Sequence, residues 1–146
     1  MATLNPYLNF NGNTEAAFQF YKLVFGGEFI LLQRMGDATG MPAVDTLSPS
    51  DQNKIMHVAL PIGRGNILMG TDILESQGQH LTVGNNYYLC VNADSKEEAA
   101  HLFHGLSAGG EITMPLDDAS WGDYFGMFTD KFGVQWMISY DYNQSQ

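Results

Sequence analysis

The sequence is poor in basic residues and contains a single cysteine. Six lysines and arginines stand against sixteen acidic residues, which gives a formal net charge of −10 at pH 7. A protein with this charge repels nucleic-acid phosphates and anionic membranes, so neither is predicted as a partner. Cys90 has no second cysteine with which to form an internal disulfide. A chain of this kind suits a reducing compartment.

Long apolar runs and export signals are also missing. The longest apolar runs have the length of strands, and Met1 to Leu4 provide neither a basic nor an apolar export segment. We therefore expect a cytoplasmic protein with no membrane contact. The sequence has no Gly-x-Ser-x-Gly elbow, no Gly-x-x-x-x-Gly-Lys loop and no Gly-x-Gly-x-x-Gly turn. Hydrolase, P-loop and dinucleotide-binding sites are thus not predicted.

An internal repeat is the main positive feature. The segments Glu15–Glu28 and Glu98–Glu111 are identical at eight of fourteen positions, and both end in Gly-Gly-Glu. A repeat of this length predicts two copies of one structural unit.

The first copy, about residues 1–72, predicts one helix and four strands. Tyr7–Phe10 alternates as a half-buried strand does. Asn13 offers a side-chain acceptor to a helix over Thr14–Phe25, and Gly26 ends that helix. The apolar stripe of the helix is predicted to contain Ala17, Phe20, Tyr21 and Val24. The remaining strands are predicted at Glu28–Met35, Ile55–Ile62 and Asn66–Thr71.

The second copy, about residues 85–141, follows the same order. Tyr88–Val91 is taken as the counterpart of Tyr7–Phe10, and Asp94 with Glu97 forms the signature of a capping box. The predicted helix covers Ser95–Leu106, with Ala99, Leu102, Phe103 and Leu106 as its apolar stripe. The predicted strands that follow are Glu111–Met114, Tyr124–Thr129 and Val134–Tyr140.

These patterns predict an α+β fold in a single domain over residues 1–146. Two βαβββ copies, joined by a linker at about residues 73–84, should pair into one curved, mixed eight-stranded sheet. The helices would cover its convex face, and a small-molecule ligand would bind in the concave hollow. The segment Gly36–Lys54 lacks periodicity, and it is predicted to be a lid or dimer arm or, equally, a plain insertion.

The duplicated order, the opening Leu4–Asn13 (LNPYLNFNGN) and the close Thr129–Ile138 (TDKFGVQWMI) resemble a known family. It is the PhnB-like branch of the vicinal-oxygen-chelate superfamily, which includes glyoxalases, bleomycin resistance proteins and dihydroxybiphenyl dioxygenase. The resemblance implies a fold in which metalloenzymes hold a divalent ion with His and Glu from the first and last strand of each copy. The corresponding positions are placed at Asn5, Met69, Asn86 and Met137.

None of these four residues is a good ligand for a divalent ion. We therefore predict neither a metal at the usual place nor any other cofactor. The same four residues are instead candidates for binding a small molecule.

Other candidate residues are assigned from strand alternation and residue type. His57 is a candidate catalytic base or hydrogen-bond anchor that points into the hollow, although a structural histidine fits equally well. Arg34 is a candidate anchor for an anion, with a surface ion pair as the alternative. Cys90 is predicted to be a buried, protonated thiol. Six aromatic side chains are candidates either for the core or for the wall of a flat ligand, and we expect some of them, Trp121 first, to line the hollow. They are Tyr7, Tyr88, Trp121, Tyr124, Phe125 and Trp136.

Three functions remain open at this stage. The first is a binding protein without metal, and the second is a metal-dependent lyase, isomerase or dioxygenase with unconventional ligands such as His57 and Asp72. The third is a protein that acts through association, with a homodimer expected. Some PhnB-like relatives carry a methyltransferase label. We discount it because the sequence lacks a glycine-rich site for S-adenosylmethionine.

Overall fold

The computed structural model describes residues 2–37 and 47–143. The chain divides into two compact units, residues 1–82 and 83–146, which we call module one and module two. Part of the predicted lid or arm, residues 38–46, lies outside the described residues. Across the described residues, no helix has the length and the apolar content needed to cross a bilayer.

Module one places one long helix beside a four-stranded mixed sheet. The strand order is β1-β4-β3-β2, in which β1 runs parallel to β4 and the other pairs are antiparallel. Short 3-10 turns lie at Met35–Asp37 and Glu75–Gln77. The elements are β1 (Tyr7–Phe10), α1 (Thr14–Phe25), β2 (Leu31–Arg34), α2 (Pro49–Gln52), β3 (Ile55–Ile62) and β4 (Asn66–Asp72).

Module two repeats this arrangement. Its strand order is β5-β8-β7-β6, with β5 parallel to β8 and antiparallel pairing elsewhere. The elements are β5 (Leu89–Asn92), α3 (Lys96–Ser107), β6 (Glu111–Asp118), β7 (Asp123–Thr129) and β8 (Gln135–Asp141). The α+β fold with repeated βαβββ order is confirmed. The pairing of the two sheets into one stays a prediction.

One face of each sheet packs against the helix of its own module. Gly70 lies directly under α1, since a Cβ there would come within 2.5 Å of the Phe18 ring. Gly126 lies under α3 in the same way, since a Cβ there would come within 2.5 Å of the Phe103 ring. Because side chains alternate along a strand, these glycines identify the helix-bearing face, and the neighbouring residues point to the opposite face, which we call the open face.

The predicted stripe of α1 is partly wrong. Ala17 and Tyr21 are buried as expected, but Phe20 and Val24 are only half-buried, and Phe18 is fully buried instead. Because Gly70 has no side chain, the Phe18 ring packs directly against β4, and the side of α1 that carries Phe18 is the one buried against the sheet. The stripe of α3 is confirmed, since Ala99, Leu102, Phe103 and Leu106 are all buried.

The start of α1 also differs from the prediction. Asn13 is the residue before the helix, but its side chain makes no capping hydrogen bond. The buried carboxylate of Asp72 takes that role from the end of β4. Its Oδ1 accepts from the backbone N–H of Gly12 and Thr14 and from the Thr14 hydroxyl at 2.7 to 3.1 Å. Its Oδ2 accepts from the N–H of Ile55 at 2.8 Å.

The start of α3 is capped within the same stretch of chain, but one residue later than predicted. Ser95, rather than Asp94, is the N-cap, and its hydroxyl accepts from the N–H of Glu98 at 3.0 Å. The Glu98 carboxylate accepts in turn from the N–H of Asp94 at 2.8 Å. The predicted pairing of Asp94 with Glu97 is therefore wrong by one position, because Ser95 and Glu98 have the spacing that the two bonds require.

Candidate functional site

The open face of each module carries a row of four side chains, one from each strand. In module one the paired positions are Tyr7, Met69, Ala59 and Leu31 on β1, β4, β3 and β2. In module two they are Cys90, Met137, Met127 and Met114 on β5, β8, β7 and β6. We call these the module-one row and the sulfur row.

The two rows occupy corresponding places in the repeat. Tyr7 and Cys90 are separated by the same number of positions as Glu15 and Glu98, and so are Leu31 and Met114. Tyr7 is therefore the counterpart of Cys90, and the equivalence of Tyr7 with Tyr88 drawn from the sequence is wrong. It rested on the similar letters at Tyr7–Phe10 and Tyr88–Val91, which are shifted by two positions.

Two candidates lie ahead of the first strands rather than in the rows. The neighbours of Met69 and Met137 on the first strands are Tyr7 and Cys90, not Asn5 and Asn86. The Asn5 side chain is engaged in holding β4, since its Oδ1 accepts from the N–H of Ile67 at 2.9 Å. Asn86 is exposed ahead of β5, and Tyr88 is half-buried immediately before it.

Tyr7 and His57 form the polar centre of the open face of module one. The Tyr7 hydroxyl and His57 Nδ1 are 3.3 Å apart, and the two ring centroids are 5.5 Å apart. Gln33 pairs with His57 on the neighbouring strand, and Met69 lies beside Tyr7. The structure therefore places Tyr7, His57 and Met69 together, with a hydrogen-bonding pair beside an apolar side chain.

Arg34 does not join this group. Its guanidinium holds the Glu15 carboxylate with two bonds of 2.8 and 3.0 Å and donates to the backbone oxygen of Asn53. These bonds keep the pKa of Glu15 below its ordinary value and that of Arg34 above it. Arg34 thus forms the ion pair that the sequence left as the alternative, and its charge is already used by Glu15.

Cys90 is exposed, so the prediction of a buried side chain is wrong. Partial desolvation, together with the nearby negative charge of Asp123, raises the pKa of its thiol. The thiol is accordingly protonated at neutral pH, as the sequence predicts, and a nucleophilic role has no support here.

Trp121 and Phe125 form an aromatic corner of module two. Phe125 shares the open face with Met127 because it lies two residues away on β7. Its ring meets the Trp121 ring edge-to-face with centroids 5.4 Å apart. The Trp121 indole N–H donates to Asp123 at 3.1 Å, and 61% of the residue is exposed.

Tyr124 and Trp136 belong to the other side of the sheet. The Lys96 ammonium, in the first turn of α3, lies 4.7 Å from the centroid of the Tyr124 ring. Trp136 is fully buried, and its indole N–H donates to Asp130 at 2.9 Å. Neither ring lines the open face, because each points toward the helix-bearing side.

Module one also contains a polar cleft of about 210 Å³ near the start of α1. Its carboxylates are already engaged, Glu15 by Arg34 and Asp72 by backbone donors. The cleft is therefore explained by the way in which α1 and β4 are joined. Its lining residues are Gly12, Glu15, Ser50, Asn53, Lys54, Ile55 and Asp72.

Sequence reasoning missed Gln33 in module one, and Met114, Met127 and Asp123 in module two. Alternation along β7 from the buried Phe128 would have placed Met127 and Phe125 on the open face. Met114 carries no such signal, because bulges on either side of it shift the pairing of β6 with β7.

Residues 3–138 match the family described as the Glyoxalase/Bleomycin resistance protein/Dioxygenase superfamily. The chain belongs to this superfamily. Protein PA1353 from Pseudomonas aeruginosa has a similar structure, with a TM-score of 0.82 and 36% sequence identity, covering 97% of this chain and 98% of that one.

Two further relatives are similar over almost the whole chain, and the first of them connects it to the PhnB-like branch of the superfamily. The PhnB protein from Bacillus cereus, named a putative 3-demethylubiquinone-9 3-methyltransferase, is 26% identical with a TM-score of 0.73. It covers 95% of this chain and 99% of its own. Protein YjdN from Escherichia coli is 28% identical over 148 aligned positions, which cover 93% of each chain.

The side chains present do not fit the divalent ion of the superfamily's metalloenzymes. The paired positions on the first and last strands hold Tyr7 with Met69 and Cys90 with Met137, and a divalent ion of this kind prefers imidazole and carboxylate donors. Asp72 lies on the helix-bearing face, opposite His57, so these two residues cannot form the unconventional pair considered above. Within residues 2–37 and 47–143, no three His, Cys, Asp or Glu side chains form a metal-binding group.

Proposed function

We propose that this superfamily member binds a small, partly aromatic molecule on the open faces of its sheets without the divalent ion. The observation that carries the proposal is the content of the two rows. The positions beside each other on the first and last strands hold aromatic and sulfur side chains where the metalloenzymes need imidazole or carboxylate donors. Such a lining, with a few polar groups, is typical of small-molecule sites.

The polar groups of the proposed site are the Tyr7 hydroxyl and the His57 ring. Their hydrogen bond at 3.3 Å fixes the orientation of both rings, and Tyr7 is 46% exposed. A ligand with one hydrogen-bonding group would therefore find an oriented partner beside the apolar surface of Met69.

A metal-dependence experiment tests the proposal. Purified protein would be treated with chelator and then titrated with Zn²⁺, Mn²⁺, Ni²⁺ and Fe²⁺ while thermal unfolding is followed. We expect the melting temperature to stay unchanged, because no ion binds. An ion that bound only the folded state would, at 100 times its Kd, add about 2.7 kcal/mol of stability and raise the melting temperature. A stoichiometric ion in the purified protein, lost in His57→Ala and retained in the control His80→Ala, would contradict the proposal.

A metal-dependent lyase, isomerase or dioxygenase is the second candidate, and the Tyr7–His57 pair is the observation that favours it. A histidine within hydrogen-bonding distance of a phenol can act as a general base. The candidate is weaker because Asp72 is not available as a ligand. The elemental analysis described above separates the two proposals.

The methyltransferase name of the Bacillus cereus relative does not support a third activity here. The sequence has no glycine-rich turn between a strand and a helix of the kind that holds S-adenosylmethionine. The homodimer and the cytoplasmic location stay predictions. Sedimentation equilibrium would test the dimer directly.

A further inference from the structure

We infer that the sulfur row and its aromatic corner hold the aromatic part of the ligand, and that this ligand carries no negative charge. The inference rests on the proposed function and makes it specific to one module and one class of molecule.

Four sulfur side chains in register across a whole sheet distinguish module two. Cys90 is paired with Met137, Met137 with Met127, and Met127 with Met114 on neighbouring strands, so the four side chains lie side by side on the open face. Met127 and Met137 are half-buried, whereas Cys90 and Met114 are exposed. A continuous surface of polarisable, adaptable side chains therefore remains accessible on the folded chain, and thioethers make favourable contacts with aromatic rings.

The spacing of the row argues against a soft metal ion as its occupant. Neighbouring strands lie about 4.8 Å apart, so Cys90 and Met114, at opposite ends of the row, are separated by roughly 14 Å. Sulfur ligands must come within about 2.3 Å of one ion. The side chains of Cys90 and Met114 are too short to reach the same ion over that distance. The row as a whole is therefore built for a flat surface rather than for a point.

Trp121 provides an exposed aromatic wall beside this surface, and the buried ring of Phe125 supports it. Phe125 lies two residues from Met127 on β7, and Trp121 stands against it at 5.4 Å. The edge of a planar ligand that lies over Met127 would come close to the exposed ring of Trp121. Trp121 is therefore a natural fluorescence reporter, because Trp136 is fully buried and bonded to Asp130.

The charges around the row exclude an anion. Asp123 shares the open face with Phe125 and Met127 on β7, and its carboxylate accepts from the Trp121 indole N–H at 3.1 Å. Partial burial and the charge of Asp123 both raise the pKa of the Cys90 thiol. The lysines of module two lie elsewhere: Lys96 is in the first turn of α3, over Tyr124, and Lys131 is in the turn beside Gly109. Module two contains no arginine. A carboxylate, sulfonate or phosphonate would thus meet a negative charge without a compensating cation.

Two matched fluorescent probes test the inference. N-phenylnaphthylamine is neutral, and anilinonaphthalene sulfonate has the same ring system with an added negative charge. We expect the folded protein to bind the neutral probe with saturation and to quench or shift Trp121 emission. The sulfonate should bind about 10-fold more weakly, because Asp123 repels it and no cation of the face attracts it.

Substitutions locate the probe. Met127→Gln and Met137→Gln keep the length of the side chain but remove its apolar sulfur. Each substitution should lower the affinity for the neutral probe by about 2- to 10-fold. The matched control is Leu23→Gln, an exposed apolar side chain on α1 away from both rows, which should leave the affinity unchanged. Circular dichroism and thermal unfolding verify that each variant is folded.

The outcomes separate the two proposals. If the probe binds but responds to Met69→Gln or Tyr7→Phe and not to the module-two variants, the inference is wrong and the proposed function stands. Equal affinity for the sulfonate would also overturn it. If neither probe binds the folded protein with saturation, both the proposed function and this inference fail.

Discussion

Modules one and two have the same strand order and register, but they differ in both the chemistry of the open face and the anchoring of the helix. At corresponding positions module one has Tyr7 and Ala59, whereas module two has Cys90 and Met127. The two modules share strand order and register, and Met69 and Met137 are the same residue type at corresponding places. The other positions of the two rows differ, so each open face has its own chemistry.

The helices also begin in different ways. α1 depends on Asp72, which lies almost sixty residues away in the sequence and is 3% exposed. α3 depends on Ser95 and Glu98, which are part of its own first turn and its flank. The same position in the fold is thus stabilised by a long-range contact in one module and by local contacts in the other.

The largest predicted loss of stability tests this difference in how the two helices are anchored. Asp72→Ala removes the acceptor for three backbone N–H groups and one hydroxyl, and leaves buried donors unsatisfied. We expect it to lower the free energy of unfolding by about 3–5 kcal/mol. Urea unfolding followed by circular dichroism measures this change.

Ser95→Ala is the matched variant in module two. Loss of an exposed N-cap costs about 1 kcal/mol. Asn13→Ala should change stability little, because Asn13 makes no capping bond from its side chain. Equal losses for Asp72→Ala and Ser95→Ala would show that the two helices are not anchored differently.

The second prediction compares the packing of Gly70 under α1 with that of Gly126 under α3. A Cβ at Gly126 would come within 2.5 Å of Phe103 and 2.9 Å of the Leu116 Cα, whereas at Gly70 it would meet the Phe18 ring at 2.5 Å and backbone only at 3.3 Å. The backbone of β6 cannot move as a ring can. We expect Gly126→Ala to destabilise by about 3 kcal/mol and Gly70→Ala by about 1–2 kcal/mol.

Thermal unfolding of the two glycine variants provides the measurement. Gly105→Ala, within α3, is a useful control because alanine is a better helix former than glycine. A larger loss for Gly70→Ala than for Gly126→Ala would mean that the packing of Phe18 is less able to adjust than the β6 backbone.

Much of this architecture follows from the sequence because its signals are local. The repeated Glu-Ala-Ala and Gly-Gly-Glu segments predict both helices and their ends, and the bounds of α1 and β3 agree with the structure. The role of Asp72 could not be predicted in this way. It depends on β4 lying next to β1, a contact between residues far apart in the chain.

The candidate site was predicted less well for a similar reason. Strand alternation in module one predicts that Tyr7, His57 and Met69 share one face of the sheet, and the structure places them together. In module two, matching letters placed Tyr88 where the register places Cys90. Trp121 and Arg34 lie where loops and long side chains determine the contacts, and periodicity carries no information about either.

The smallest predicted effect compares two glutamates at the same place in the repeat. Glu15 is held by Arg34, whereas Glu98 accepts from the backbone of Asp94. Arg34→Gln should lower the free energy of unfolding at pH 7 by at most about 1 kcal/mol, because the pair is partly exposed and screened by solvent. Lys22→Gln is the control and should change stability less, because it removes an ion pair with the 85% exposed Glu28 and a cation–π contact with Phe29.

The pH dependence gives this prediction its sign. Arg34 keeps the pKa of Glu15 below its ordinary value of 4.5 in the folded state. A lowered folded-state pKa stabilises the protein above the unfolded value, and the contribution is lost as the pH falls through the folded value. The difference between wild type and Arg34→Gln should therefore be full near pH 7 and should disappear in acid. A difference that persists at pH 2 would mean that Arg34 stabilises β2 mainly through its bond to the Asn53 carbonyl, because that bond does not depend on Glu15 being charged.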